Sequence, residues 1–274
     1  MVGSEERTSR EPLLFTVDRD DNLERIPLTI PEAGYLLLYS VAGGPDGSLA
    51  VVGRGFHVDG RQGSFVARIA PDRKSQTITR TWPYVGTRVT VAPDGLIWTA
   101  GWAEPSGSRT QYNVFRVFDE SGRSVREFVV LAKGRPDTPS DAVPYSVLKS
   151  SRDRVGWLTS GWEYLEFSLD GREIGRLAGP LVSQDSNLGS IGLALSEDNR
   201  VVIGILVQGK HRMWALDRER QTWSSIEEPD AGELQHRRIL GFDGQSLVTL
   251  RWGKYGVNTV HRYRIVGPRE NTVR

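Results

Sequence analysis

The 274-residue chain contains no cysteine and only two methionines. The missing cysteine excludes a disulfide framework, a thiolate metal site and a cysteine nucleophile together. Charge of a dominant sign is lacking too: 35 Lys and Arg against 34 Asp and Glu leave +1 at neutral pH. That balance argues against a dedicated nucleic-acid or membrane-surface binder, which needs a clustered cationic footprint. Long apolar runs are absent. The most apolar early segment, Tyr35 to Val41, is broken by Ser40 and followed by Gly43-Gly44-Pro45, well short of the roughly 20 residues of a membrane span. Met1 to Arg10 is polar, with no apolar core of a signal peptide. The expectation is a soluble chain without membrane insertion, its compartment open and an exported mature form compatible with it.

What is abundant is turn chemistry. The 30 glycines and 14 prolines exceed ordinary usage and point to many tight turns rather than long helices. One unit recurs five times: an apolar strand, a tight turn containing Asp, and a second apolar strand. The turns are Pro45-Asp46-Gly47, Pro93-Asp94-Gly95, Ser151-Arg152-Asp153-Arg154, Ser196-Glu197-Asp198-Asn199 and Phe242-Asp243-Gly244, so the Asp markers step by 48, 59, 45 and 45 residues. The long step is taken up by one loop, residues 131 to 145. A third strand follows in every copy, and a weaker fourth closes the first four; residues 210 to 228 lack Gly and Pro, but their register reads as two strands rather than a helix.

Four antiparallel strands per repeat of about 45 residues is the pattern of a propeller blade. The fold class expected is all-β, a β-propeller with five blades favoured and six possible. Residues 1–12 read as a flexible segment, 13–266 as a single propeller domain and 267–274 as a tail. The last copy has three strands, so Leu23 to Ile30 is expected to close it as the missing outer strand, leaving no long edge exposed.

The segment Val91-Ala92-Pro93-Asp94-Gly95-Leu96-Ile97-Trp98-Thr99, with Val117-Phe118-Asp119-Glu120-Ser121-Gly122, resembles the repeats of NHL-like and streptogramin-lyase-like β-propellers, many of them uncharacterised bacterial proteins. The resemblance covers most of residues 35 to 266. It implies the fold; its members include scaffolds, sensors, lyases and lactonases, so the function has to come from the loops.

Loops between second and third strands, and those between blades, gather on one face. On that face His57, Trp102, Trp162, His211 and Tyr255 are the expected ligand-binding residues, giving aromatic walls and a few polar groups for a small polar ligand. A packing role for Trp102 and Trp162, which both follow Gly, competes with this. His57 and His236 are the candidates for acid–base work, since imidazole titrates near neutrality; His261 falls inside a strand. The four histidines have no metal-ligand spacing, and Asp18-Arg19-Asp20-Asp21-Asn22 begins like a calcium loop but has Leu23 at the glycine position and Thr29 at the bidentate position. No metal and no cofactor are expected.

Common hydrolase, nucleotide and zincin motifs are missing. The functional expectation is therefore a non-enzymatic, monomeric scaffold for a small polar ligand or a protein partner. The alternative is a lyase or lactonase acting on a small cyclic ester. A carboxylate-pair glycosidase would draw on Asp59, Glu104, Asp141 and Glu163.

Overall fold

The structure is a computed structural model that describes residues 2–4, 8–9, 13–17, 22–57, 62–104, 111–132, 146–180, 188–207, 210–226, 237–252 and 258–264. Every regular element among them is a β-strand, and no helix is long and apolar enough to cross a membrane. The five repeats become the five blades of a β-propeller. The chain divides into two compact units, residues 1–178 and 179–274.

The first unit opens with four short strands, β1 (Val2–Ser4), β2 (Thr8–Ser9), β3 (Leu13–Val17) and β4 (Leu23–Pro27), and continues into three blades. The first blade is β5 (Tyr35–Gly43), β6 (Leu49–Phe56), β7 (Gln62–Ile69) and β8 (Gln76–Arg80). The second is β9 (Tyr84–Val91), β10 (Ile97–Ala103), β11 (Gln111–Phe118) and β12 (Ser124–Val129). The third is β13 (Val147–Ser150), β14 (Arg154–Leu158), β15 (Glu163–Ser168) and β16 (Glu173–Ala178). Each blade is an antiparallel meander in chain order. The second unit holds two more, β17 (Leu188–Leu195), β18 (Val201–Val207), β19 (Lys210–Asp217) and β20 (Thr222–Ile226), then β21 (Arg237–Asp243), β22 (Ser246–Trp252) and β23 (Asn258–Arg264). Strands β19 and β20 settle the stretch near residues 210 to 228 as sheet.

The Asp of the turns acts as a local brace. Asp46 Oδ1 accepts the Ser48 amide at 2.9 Å, Asp94 Oδ1 the Leu96 amide at 3.1 Å, and Asp119 Oδ1 the amides of Ser121 and Arg123, each at 3.0 Å. These are Asx turns, in which the carboxylate replaces a backbone acceptor. Gly47 and Gly95 follow at φ +85° and +81°, a left-handed geometry that glycine adopts without a Cβ clash. Four residues after the Asp, Trp98 in the second blade and Trp157 in the third are buried together with Phe115 and Phe167. Phe115 lies edge-on to Trp157, with ring centroids 5.1 Å apart, and stacks on Phe128 at 5.2 Å. The repeated Trp is thus interblade packing.

The N-terminal segment departs from expectation in its pairing. Its first described strands are β1, which pairs with β3, and β2, which pairs with β5. Strand β4, expected to close the last blade, instead pairs with β3 in a separate three-stranded sheet, and it adds no further four-stranded blade. The reason is burial. Leu14, Ile26 and Leu28 share a core with Leu36, Leu49, Val51, Phe65 and Ile69 on one face of the first blade, so the alternation in the hairpin is satisfied at once by its sequence neighbour. Arg73 meets Glu24 at 3.0 Å, and the Gln76 amide donates to the Pro27 carbonyl at 3.0 Å, fastening the rim.

Two outcomes follow from this arrangement. Ile26→Ala leaves a cavity under the first blade and is expected to cost about 2–5 kcal/mol, as for other large-to-small core changes, read as a lowered denaturation midpoint. Hydrogen bonds from Ser48 to Asp46, from the Ser121 hydroxyl to Asp119 and from the Ser196 hydroxyl to Asp198 hold these carboxyls below the usual carboxylate range. A folded-state value below the unfolded one adds stability that is present above the unfolded value and is lost as pH falls through the folded one. Melting temperature is therefore expected to be flat from neutrality to about pH 5 and to fall progressively below about pH 4, with Asp46→Asn flattening part of that fall.

Candidate functional site

Antiparallel register puts the exit of each second strand beside the entry of the first. Tyr35 pairs with Phe56, and Tyr84 with Ala103. The end of the first two blades therefore gathers the exits of β6 and β10 with the 81–83 linker. The linker is fixed: the Thr81 amide donates to Ser64 O at 2.9 Å, the Glu104 amide to Pro83 O at 3.1 Å, and the hydroxyls of Ser64 and Thr81 both donate to Tyr84 O, at 2.5 and 3.0 Å. Trp82 projects from this braced turn and is 50% exposed.

Two glycines set the height of what faces it. A Cβ at Gly53 would lie 2.5 Å from the Leu37 carbonyl oxygen, and one at Gly101 would lie 1.9 Å from that of Val85. Beside both, the ladder slips: Leu38 and Ser40 pair with Gly53 and Val52, and Gly86 and Arg88 with Gly101 and Ala100, so Tyr39 and Thr87 are bulged residues. Arg54 and Trp102, each following its glycine, consequently occupy the same position in neighbouring blades. The Arg54 guanidinium carbon stands 5.0 Å from the Trp102 ring centroid and 5.8 Å from that of Trp82. Both lie within the range of cation–π attraction. Burial pushes the ionisation of the Tyr39 hydroxyl up, and the Arg54 charge acts against that. Beside this group Tyr35, 43% exposed, stacks on Phe56 with centroids 4.4 Å apart.

The expected site residues are distributed as follows. His57 is half-buried at the exit of β6, directly after Phe56. Trp102 is 5% exposed and lies within β10, so its ring is mostly packing surface. Trp162 occupies a left-handed turn at φ +60°, its amide donating to Thr159 O at 3.1 Å. Despite the shared Gly-Trp dipeptide it does not match Trp102, because the third blade turns back after Leu158. His211 lies in β19 of the second unit, opposite Leu206, with its imidazole against Gly204. His261 is a strand residue, stacked on Tyr263 at 5.9 Å. Tyr255 and His236 lie outside the described residues, as do Asp59, Asp141 and the Asp18–Asp21 run.

Glu163 is buried and meets Arg176 at 3.3 Å, while Glu104 is exposed on the opposite side of a blade boundary. Glu166, also buried, accepts from Tyr164 at 2.7 Å and Arg154 at 3.1 Å. Among the described residues, no three His, Asp or Glu side chains are grouped as a metal ion would require. A residue of this end that is absent from the expected set is Arg54. Its signal is the repeat itself, since Arg54 and Trp102 each stand eight positions after a turn Asp.

The blades and their loop ends define the chain as a β-propeller. Its fold is similar to that of virginiamycin B lyase from Staphylococcus aureus, whose catalytically inactive variant was solved with quinupristin: 14% identity, 89% of this chain and 71% of that one, TM-score 0.52. It is also similar to a Bacteroides caccae protein of unknown function, at 13% identity over 92% of this chain and 82% of that one, TM-score 0.51. At such identities the likeness concerns the fold alone. No protein-family model matches the chain, and no curated protein matches it.

The two indoles are expected to separate on mutation. Trp102→Ala empties a buried site and should cost about 3–5 kcal/mol, lowering the melting temperature sharply. Trp82→Ala, at a half-exposed ring, should change stability by only about 0.5 kcal/mol and leave the far-ultraviolet spectrum unchanged.

Proposed function

We propose that the protein is a non-enzymatic propeller scaffold that binds a small polar ligand at the loop end of its first two blades. The observation that carries this reading is the pairing of an exposed indole, Trp82, with a cation, Arg54, on a braced backbone. A rigid framework presenting an aromatic ring and one charged group is the usual makeup of a small-ligand site. The histidine nearest this end, His57, is held by no described carboxylate, whereas an imidazole base is ordinarily oriented by a third group.

The competing reading is a lyase or lactonase acting on a cyclic ester, favoured by the likeness of fold to virginiamycin B lyase. Incubation with quinupristin and with simple lactones, followed by mass spectrometry, separates the two. The scaffold reading expects intact compounds. Turnover that disappears in His57→Ala or His236→Ala would replace it with the enzymatic one.

A further inference from the structure

Most of the described arginines of the first unit meet a carboxylate or a carbonyl. Arg68 meets Asp46, Arg80 meets Glu32, Arg116 meets Glu127 and Arg154 meets Glu166, at 2.5 to 3.1 Å, and Arg126 donates to the Leu169 carbonyl. Arg54 differs. Its Nε is buried without a hydrogen-bond partner, and among the described residues its guanidinium meets indole faces rather than a carboxylate.

An unsatisfied buried donor on a permanent cation is costly. The indoles offer the guanidinium a face but no lone pair in the plane of its fork. The Trp102 side is closed by burial and the Trp82 side is open to solvent. What the arrangement lacks among the described residues is a flat acceptor with two oxygens beside Trp82. A carboxylate meets that description: it is planar and pairs with the two Nη groups of a guanidinium through two parallel hydrogen bonds, leaving the buried Nε untouched. Among the described residues one cation with apolar walls stands here, which matches a monoanion better than a tetrahedral dianion that would require further donors.

Resting on the scaffold reading above, we propose that Arg54 is the specificity-determining residue of a subsite for a small monocarboxylic acid with a flat apolar body. The carboxylate takes the edge of the Arg54 guanidinium, and the body lies on the exposed face of Trp82. The chain thereby selects acids over their neutral isosteres.

The test uses two matched probe pairs, phenylacetate with phenylacetamide and indole-3-acetate with indole-3-acetamide. Binding to the whole chain is followed by isothermal titration calorimetry and by ligand-observed NMR. Each acid is expected to bind at least about tenfold more tightly than its amide, the discrimination a charge-assisted pair supplies. In Arg54→Gln, acid and amide should converge to within about twofold, whereas Arg54→Lys, which keeps the charge and loses the fork, should fall between. Trp82→Ala should weaken both members of a pair alike. Melting curves confirm that each variant remains folded; if Arg54→Gln does not, Arg54→Lys and Trp82→Ala on the folded protein still decide the matter.

Equal affinity of acid and amide for the native chain would overturn the assignment while leaving a binding scaffold in place. An acid preference that survives in folded Arg54→Gln, or in Arg54→Lys at full strength, would also overturn it. If neither member of either pair binds below about 1 mM, the carboxylate subsite is wrong, and the turnover assay then decides separately between scaffold and enzyme.

Discussion

Backbone meets backbone at Gly53 and Gly101, and the arrangement of the first two blades hangs on that approach. No side chain fits at either position, because the carbonyl of the preceding strand already stands where the Cβ would be. The close approach accompanies a bulge in the first strand of each blade, and the bulge changes which residues face the neighbouring blade near the loop end. Below it the boundary between the first and second blades holds an apolar cluster of Ala50, Val52, Val89 and Ile97. Above it come Arg54 and Trp102. One geometric exclusion therefore divides the interblade surface into a dry core and a chemically distinct end.

The same division explains why the tryptophans have unlike roles. Trp98 and Trp157 lie deep in the layer between the second and third blades, where aromatic rings tile the space between sheets. Trp102 is also enclosed, but it borders a cation. Trp82 stands on a linker whose backbone groups are tied to both adjoining blades, so its exposure is a fixed presentation of the ring, not slack in the loop. A ring held this way has little conformational freedom left to lose when something covers it.

The sequence made the repeat and its turns legible because their chemistry is local. Asp46, Asp94 and Asp119 brace residues two to four positions away, so the pattern needs no tertiary information. The N-terminal hairpin was legible as strands but not in its destination. Alternation announces that one face is buried without saying against what, and the first blade supplied the partner ahead of the last. Trp162 misled for a related reason: it shares the Gly-Trp dipeptide of Trp102, yet the third blade reverses at Thr159 before the strand reaches that position. Arg54 stayed hidden because its indole neighbours come from a linker and a strand of the next repeat, and only alignment of the copies by their turn Asp brings them together.

The docking of the hairpin on the first blade also orders events in time. A ribosome releases Leu14, Ile26 and Leu28 before any of the sheet that buries them, and Phe65 and Ile69, which complete that core, come some forty residues after Ile26. Each later repeat closes on strands adjacent in sequence. The hairpin waits with an apolar face uncovered while its receptor is still being made, as each of the first two blades then waits for the next. During that interval the nascent chain offers a surface of the kind that chaperones bind and that drives premature association.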